Sequence, residues 1–123
     1  MSAFSISRRF KSFVYAFQGA RTLVRTQHNA WIHSVVTVVV ILGGVSCHIS
    51  RQEWAMLIFA VTIVWITEAL NTAIEFLADE VSEDRRDRIG KAKDVSAFAV
   101  LVGAVAAIAI GGIVFIPHFL PVK

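Results

Sequence analysis

Three stretches of this chain, residues 30–49, 54–77 and 95–116, are long and apolar enough to be membrane helices. A spanning helix needs ~20 such residues. No other feature restricts the fold as strongly. Inside hydrocarbon every backbone N–H and C=O must bond within its own segment, so such runs form helices rather than isolated strands. The first, AWIHSVVTVVVILGGVSCHI, has no formal charge and is rich in Val, which in water would suggest a strand. Its length and the lack of a turn signal before Gly43-Gly44 favour a helix. The last, VSAFAVLVGAVAAIAIGGIVFI, is rich in Ala and Gly, which allows close helix packing although no GxxxG spacing occurs. With 56% hydrophobic residues and two Pro in 123, the chain is not an ordinary soluble domain. A single all-α membrane domain over 1–123 is expected.

Residues 4–27 differ from the rest. Phe10, Phe13, Val14 and Phe17 recur at helical spacing, and Arg8, Arg9, Lys11, Arg21 and Arg25 surround them with no acid before Glu53. That pattern predicts an amphipathic helix lying in the headgroup region of an anionic leaflet. Five Lys/Arg precede residue 30 and five lie within 79–94, whereas the turn between the first two spans has only Arg51 and the tail only Lys123. By the positive-inside rule, the N-terminus and the 79–94 loop face the cytoplasm and the C-terminus faces out. The opening MSAFSISRRFKSF does not read as a cleaved signal peptide. The lone Cys47 excludes an intramolecular disulfide and reads as a small buried hydrophobe. The basic residues do not interleave with aromatics as in a nucleic-acid groove, so no nucleic-acid partner is expected. His33 and His48 fall near the ends of the first span, within reach of the interface.

The second span contains the anomaly. Glu68, Asn71, Thr72, Glu75 and Asp79 fall at i, i+3, i+4, i+7 and i+11, one polar stripe near the cytoplasmic end of an otherwise apolar helix. Carboxylates at membrane depth are costly and by default functional. Beyond the charged stretch DEVSEDRRDRIGKAKD, Lys93 and Asp94 open the third span, and chain reversal can return them to Glu75 and Asp79. A purely structural cluster is the alternative, with Lys93 neutralising Glu75 or Asp79. Three acids against one Lys leave room for a cation, and an oxygen-only donor set favours Mg²⁺, which commonly keeps phosphate oxygens as ligands. An Mg-nucleotide is a natural occupant, yet no GxxxxGK[ST] or kinase-type GxGxxG is present. A nucleotide site here must be of an all-helical kind.

EALNTAIEFLAD followed by GKAKDVSAFAVLV resembles the prokaryotic diacylglycerol kinase/undecaprenol kinase family, and RTQHNAWIH and FKSFVYAFQG extend the likeness over residues 8–116. The resemblance implies an integral-membrane homotrimer in a bacterial cytoplasmic membrane that moves the γ-phosphate of ATP to a lipid hydroxyl with Mg²⁺. It implies Glu68 as general base at the lipid alcohol and Glu75 as metal and phosphate ligand, supported by Asn71 and Asp79. Lys93 and Asp94 would contact the nucleotide, together with Arg8, Tyr15, Asp84, Arg85 and Arg86.

Two positions depart from the family pattern. Gln27 stands where well-known members carry a second metal-binding Glu, so it either offers a neutral carbonyl to the metal and nucleotide or only hydrogen-bonds. Phe98 stands where a small residue is usual and either narrows the lipid space or faces acyl chains. Trp31 is a candidate for the lipid entrance. The N-x-x-I-H wording at Asn29–His33 leans toward undecaprenol over diacylglycerol, and an inactive membrane scaffold is the rival from another class.

Overall fold

A computed structural model describes residues 5–84 and 86–120. They form four helices in chain order: α1 (Ile6–Thr26), α2 (His28–Ser46), α3 (Arg51–Val81) and α4 (Asp87–Phe119). Of these, α2, α3 and α4 are long and apolar enough to cross a membrane. The most extensive packing joins α3 to α4. At Gly103 they approach closely, since a Cβ there would meet Thr67 Oγ1 at 2.9 Å. Small residues at such crossings let backbones come together where no hydrophobic effect drives association.

Local chemistry sets each helix end. Gln27 is extended (φ −109°, ψ 118°) and separates α1 from α2, its N–H bonding Leu23 O at 3.0 Å. α2 ends with His48 in the left-handed region, φ 51°. The Ile49 N–H bonds Gly44 O and the His48 N–H bonds Val45 O, the paired bonds of a Schellman motif with His in the position glycine prefers. A Cβ on Gly44 would meet the Trp54 indole at 2.7 Å, so that helix end seats directly on α3. α3 begins with a capping box: Ser50 Oγ accepts from the Glu53 N–H at 3.2 Å and Glu53 Oε2 accepts from the Ser50 N–H at 2.7 Å. Buried Ile49, Leu57 and Val114 form the core at this end, with Val40, Trp54 and Phe115 against it. On the same side the His118 imidazole pairs with Glu53 at 2.9 Å.

Helical structure runs further than the sequence predicts in the second and third spans, whereas the first starts two residues earlier and stops three residues sooner. The expected spans 30–49, 54–77 and 95–116 become helices bounded at His28–Ser46, Arg51–Val81 and Asp87–Phe119. Of the expected 79–94 loop, 79–81 belong to α3 and 87–94 to α4, with the described residues 82–84 and 86 between them. Charged residues bar a segment from hydrocarbon but do not break a helix, and Asp87 pairs with Lys91 one turn on at 2.9 Å. The turn itself is local, with the Asp84 N–H donating to Ser82 Oγ at 3.2 Å. In the turn expected between the first two spans, Arg51 already belongs to α3, because Ser50 and Glu53 satisfy free N–H groups at its start. Of the predicted 4–27 helix, Phe4 lies outside the described residues. Phe10, Phe13, Val14 and Phe17 are all exposed, and α1 buries only Leu23.

Candidate active site

The polar stripe occupies the last turns of α3, at the end of the bundle opposite the apolar core. Its members do not share one environment. Glu68 is 1% exposed, Asn71 and Thr72 are buried, Glu75 is half-buried and Asp79 is exposed. A stripe on one helix face becomes graded because two other helices divide it.

Glu68 faces α2. Its Oε2 lies 3.4 Å from Nε2 of His33. Neither atom has a hydrogen-bond partner, and Thr72 Oγ1 also lacks one. The His33 ring meets Trp65 edge-on, centroids 6.1 Å apart, and Trp65 Nε1–H donates to Thr37 Oγ1 at 3.1 Å. Thr37 in turn donates to the carbonyl of His33 at 2.6 Å. Trp65 and Glu68 are three residues apart on α3, and Thr37 and His33 four apart on α2. The Trp65–Thr37 bond thus ties α2 to α3 one turn from the point where His33 and Glu68 approach.

Asn71 faces α4. Ser96 Oγ–H donates to Asn71 Oδ1 at 2.7 Å, and Asn71 Nδ2–H donates to Glu75 Oε1 at 3.2 Å. The chain of donors has one consistent direction. An ionised Glu75 can only accept, so the amide must turn its NH₂ toward Glu75 and its oxygen toward Ser96. Ser96 Oγ also lies 2.9 Å from Lys93 O, so its single proton has two acceptors in reach. On the amide orientation just given, the bond to Asn71 is the one the network requires.

Beyond Glu75, Lys93 Nζ bonds Asp79 Oδ1. The two side chains are 33% and 55% exposed, so this pair contributes about 0–1 kcal/mol to stability. Its stronger effect is to fix a cation beside the acidic face. Lys93 is thereby committed to Asp79, and no Lys or Arg among the described residues pairs with Glu68 or Glu75.

The remaining predicted residues are more dispersed. Arg8 and Tyr15 lie exposed on α1, Asp84 and Arg86 at the exposed turn, and Asp94 exposed early in α4; Arg85 lies outside the described residues. Gln27 Nε2 reaches its neighbour Thr26 Oγ1 at 3.4 Å. No hydrogen bond or ion pair among the described residues ties Arg8, Tyr15 or Gln27 to the stripe. Trp31 and Phe98 are 60% and 63% exposed and point away from the bundle. The structure thus links Asn71 to Ser96 and Glu75 and links Asp79 to Lys93, with Glu68 one turn away beside His33.

His33 and Ser96 were missed by sequence reasoning. His33 was legible as an ionisable group inside an apolar run. Ser96, one turn after Lys93, carried no distinguishing signal. Between α1 and α3 runs an apolar groove of about 680 Å³, walled by Ala16, Ala20, Leu23, Trp65, Ala69 and Phe76.

Among the described residues no three His, Cys, Asp or Glu side chains converge as a metal cage. The acidic face instead offers single carboxylates, Glu75 foremost. That set fits Mg²⁺ arriving with a nucleotide, because Mg²⁺ is held by one or two carboxylates plus substrate phosphates.

The model of the family described as Prokaryotic diacylglycerol kinase matches residues 14–115. The chain is 34% identical to Undecaprenol kinase of Bacillus subtilis over 91% of each protein. It is 36% identical to a Diacylglycerol kinase of Synechocystis over 89% of this chain and 63% of that relative. With Diacylglycerol kinase of Escherichia coli it shares 28% identity over 92% of this chain and 93% of the relative.

Proposed function

This chain belongs to the prokaryotic diacylglycerol kinase family and is a lipid kinase, and on that premise we propose that it transfers the γ-phosphoryl group of ATP, as its Mg²⁺ complex, to a membrane lipid alcohol, undecaprenol in preference to diacylglycerol. One observation carries the reading: Glu68, a carboxylate within a membrane-spanning helix, is 1% exposed and faces His33 on α2. Burial of such a group has no structural benefit that an apolar residue would not exceed.

Glu68 takes the proton of the lipid hydroxyl as that oxygen bonds to the γ-phosphorus. The bond from the γ-phosphorus to the β,γ-bridging oxygen breaks, and ADP leaves with the electron pair. Phosphoryl transfer otherwise needs mainly positioning and charge neutralisation. Asn71, fixed by Ser96, orients Glu75, and Glu75 holds the metal with the phosphates. The metal ion, when bound, neutralises phosphate charge. Lys93, held by Asp79, adds a second positive charge at the water-facing side. Asp94, Arg8, Tyr15 and the 84–86 turn contact the nucleotide, and Gln27 adds a neutral oxygen to the metal. The α1–α3 groove gives a lipid chain a lateral route along Trp65 and Ala69 toward the neighbouring face of α3.

The topology we assign places the N-terminus and the α3–α4 turn in the cytoplasm and the C-terminus outside, in a bacterial cytoplasmic membrane. α1 rests on the headgroups with Phe10, Phe13 and Phe17 inward. The protein works as a homotrimer, in which neighbouring copies cover faces that one chain leaves open.

The test is purified protein in mixed micelles with labelled ATP, offered undecaprenol and diacylglycerol separately. Label on undecaprenol at the higher kcat/KM is expected. Glu68→Gln lowers the rate by ~10²-fold or more while sparing nucleotide binding, the scale of a lost general base. Label on neither lipid sinks the proposal and leaves a membrane scaffold.

A further inference from the structure

Beyond the family chemistry, and resting on the kinase reading just given, we propose that His33 is a positioning residue for the reaction, donating its Nε2–H to Glu68 Oε2 and thereby orienting the carboxylate toward the lipid hydroxyl. The two atoms are 3.4 Å apart, and neither has another partner. The Glu68 side chain is 2% exposed and that of His33 is 18% exposed. At membrane depth no bulk water competes, so each atom is the available mate of the other and a small side-chain shift closes the bond. Leaving both unmet would incur the full desolvation cost of each.

The surroundings support a positioning role over a chance approach. Trp65 stacks edge-on against the imidazole and is itself tied to Thr37 on the helix that bears His33. The ring is therefore flanked by Trp65, with its Nε2 edge toward Glu68 on α3. From α4, the cavity that ends on His33 presents Ala107, Ile108, Gly111 and Phe115, none of which ionises. Among these neighbours Glu68 is the ionisable group that the imidazole faces. A carboxylate used as a base needs one oxygen presented to the substrate and the other fixed, and His33 supplies the fixing contact with the Nε2–H tautomer.

Full-length protein in lipid vesicles, assayed with Mg-ATP and undecaprenol or diacylglycerol, tests this. His33→Ala is expected to lower kcat by about tenfold to a hundredfold, a fraction of the loss of the base itself, with KM for Mg-ATP within about twofold of wild type. His33→Gln, whose amide nitrogen can donate from a similar reach, should recover most of that loss. Equal rates for the Ala and Gln variants, or an unchanged kcat in both, would overturn the role. A second arm needs no turnover. The infrared carboxylate bands of Glu68, assigned by difference against Glu68→Gln, should shift in His33→Ala, and bands unmoved by that substitution would also overturn it. Wild-type protein that labels neither lipid defeats the kinase reading, whereas the infrared arm still decides whether His33 holds Glu68.

Discussion

Removing the Ser96 hydroxyl should weaken the α3–α4 pairing and disturb Glu75 through Asn71, although Ser96 itself touches no acid of the stripe. In Ser96→Ala the 2.7 Å bond to Asn71 Oδ1 is lost, and Asn71, only 9% exposed, keeps an acceptor with no donor. Interhelical hydrogen bonds in membranes average ~0.6 kcal/mol and reach ~1.7. Both residues here are buried and the separation is short, which places this bond in the upper half of that range, about 1–1.5 kcal/mol. The nearby Lys93 carbonyl does not lower the figure much, since the amide orientation already directs the hydroxyl proton to Asn71. Asn71→Ala removes the same bond and also the 3.2 Å contact to Glu75. The assay is a double-mutant cycle over Ser96→Ala and Asn71→Ala, with unfolding in mixed micelles and kcat as parallel readouts. A coupling energy of about 1 kcal/mol in stability is expected, because the second substitution has no bond left to break. In kcat the single Ser96 variant should show a smaller loss than the Asn71 variant. Strict additivity in stability would refute the proton assignment and with it the fixed amide orientation.

Three further outcomes are expected. Gln27→Glu should lower the Mg²⁺ concentration needed for half-maximal rate, since a charged ligand raises affinity; an unchanged requirement removes Gln27 from the metal site. Gly103→Leu should cost ~1–3 kcal/mol or more by forcing α3 and α4 apart at Thr67, read as reduced thermal stability, and an unperturbed melting curve would remove that contact. His48→Gly should raise stability by up to ~1 kcal/mol by relieving its positive φ, and a loss instead would show that the bond of its ring to Ser46 O outweighs the strain.

The positions of the carboxylates were legible because helical periodicity is a local property. Glu68, Asn71, Glu75 and Asp79 had to share a face once residues 54–77 were helical. The three spans followed with equal directness, since hydrocarbon admits no other backbone solution for such runs. Charge did not reveal where each helix stops. The residues from Asp79 to Asp94 resemble a loop by composition, but helix continues to Val81 and resumes at Asp87, where Asp87 pairs with Lys91 one turn on.

Periodicity assigns a residue to a face, but only packing decides what that face meets. The sequence by itself determined that this is a helical membrane protein with acids at one end of its second span, and its motif wording pointed to a kinase family. Tertiary structure alone decided that the stripe splits, Glu68 turning to His33 on α2 and Asn71 to Ser96 on α4. Those partners lie 35 and 25 residues from their mates, beyond any spacing rule. They come together because Gly103 allows α3 and α4 to approach closely and because the Trp65–Thr37 bond ties α2 to α3.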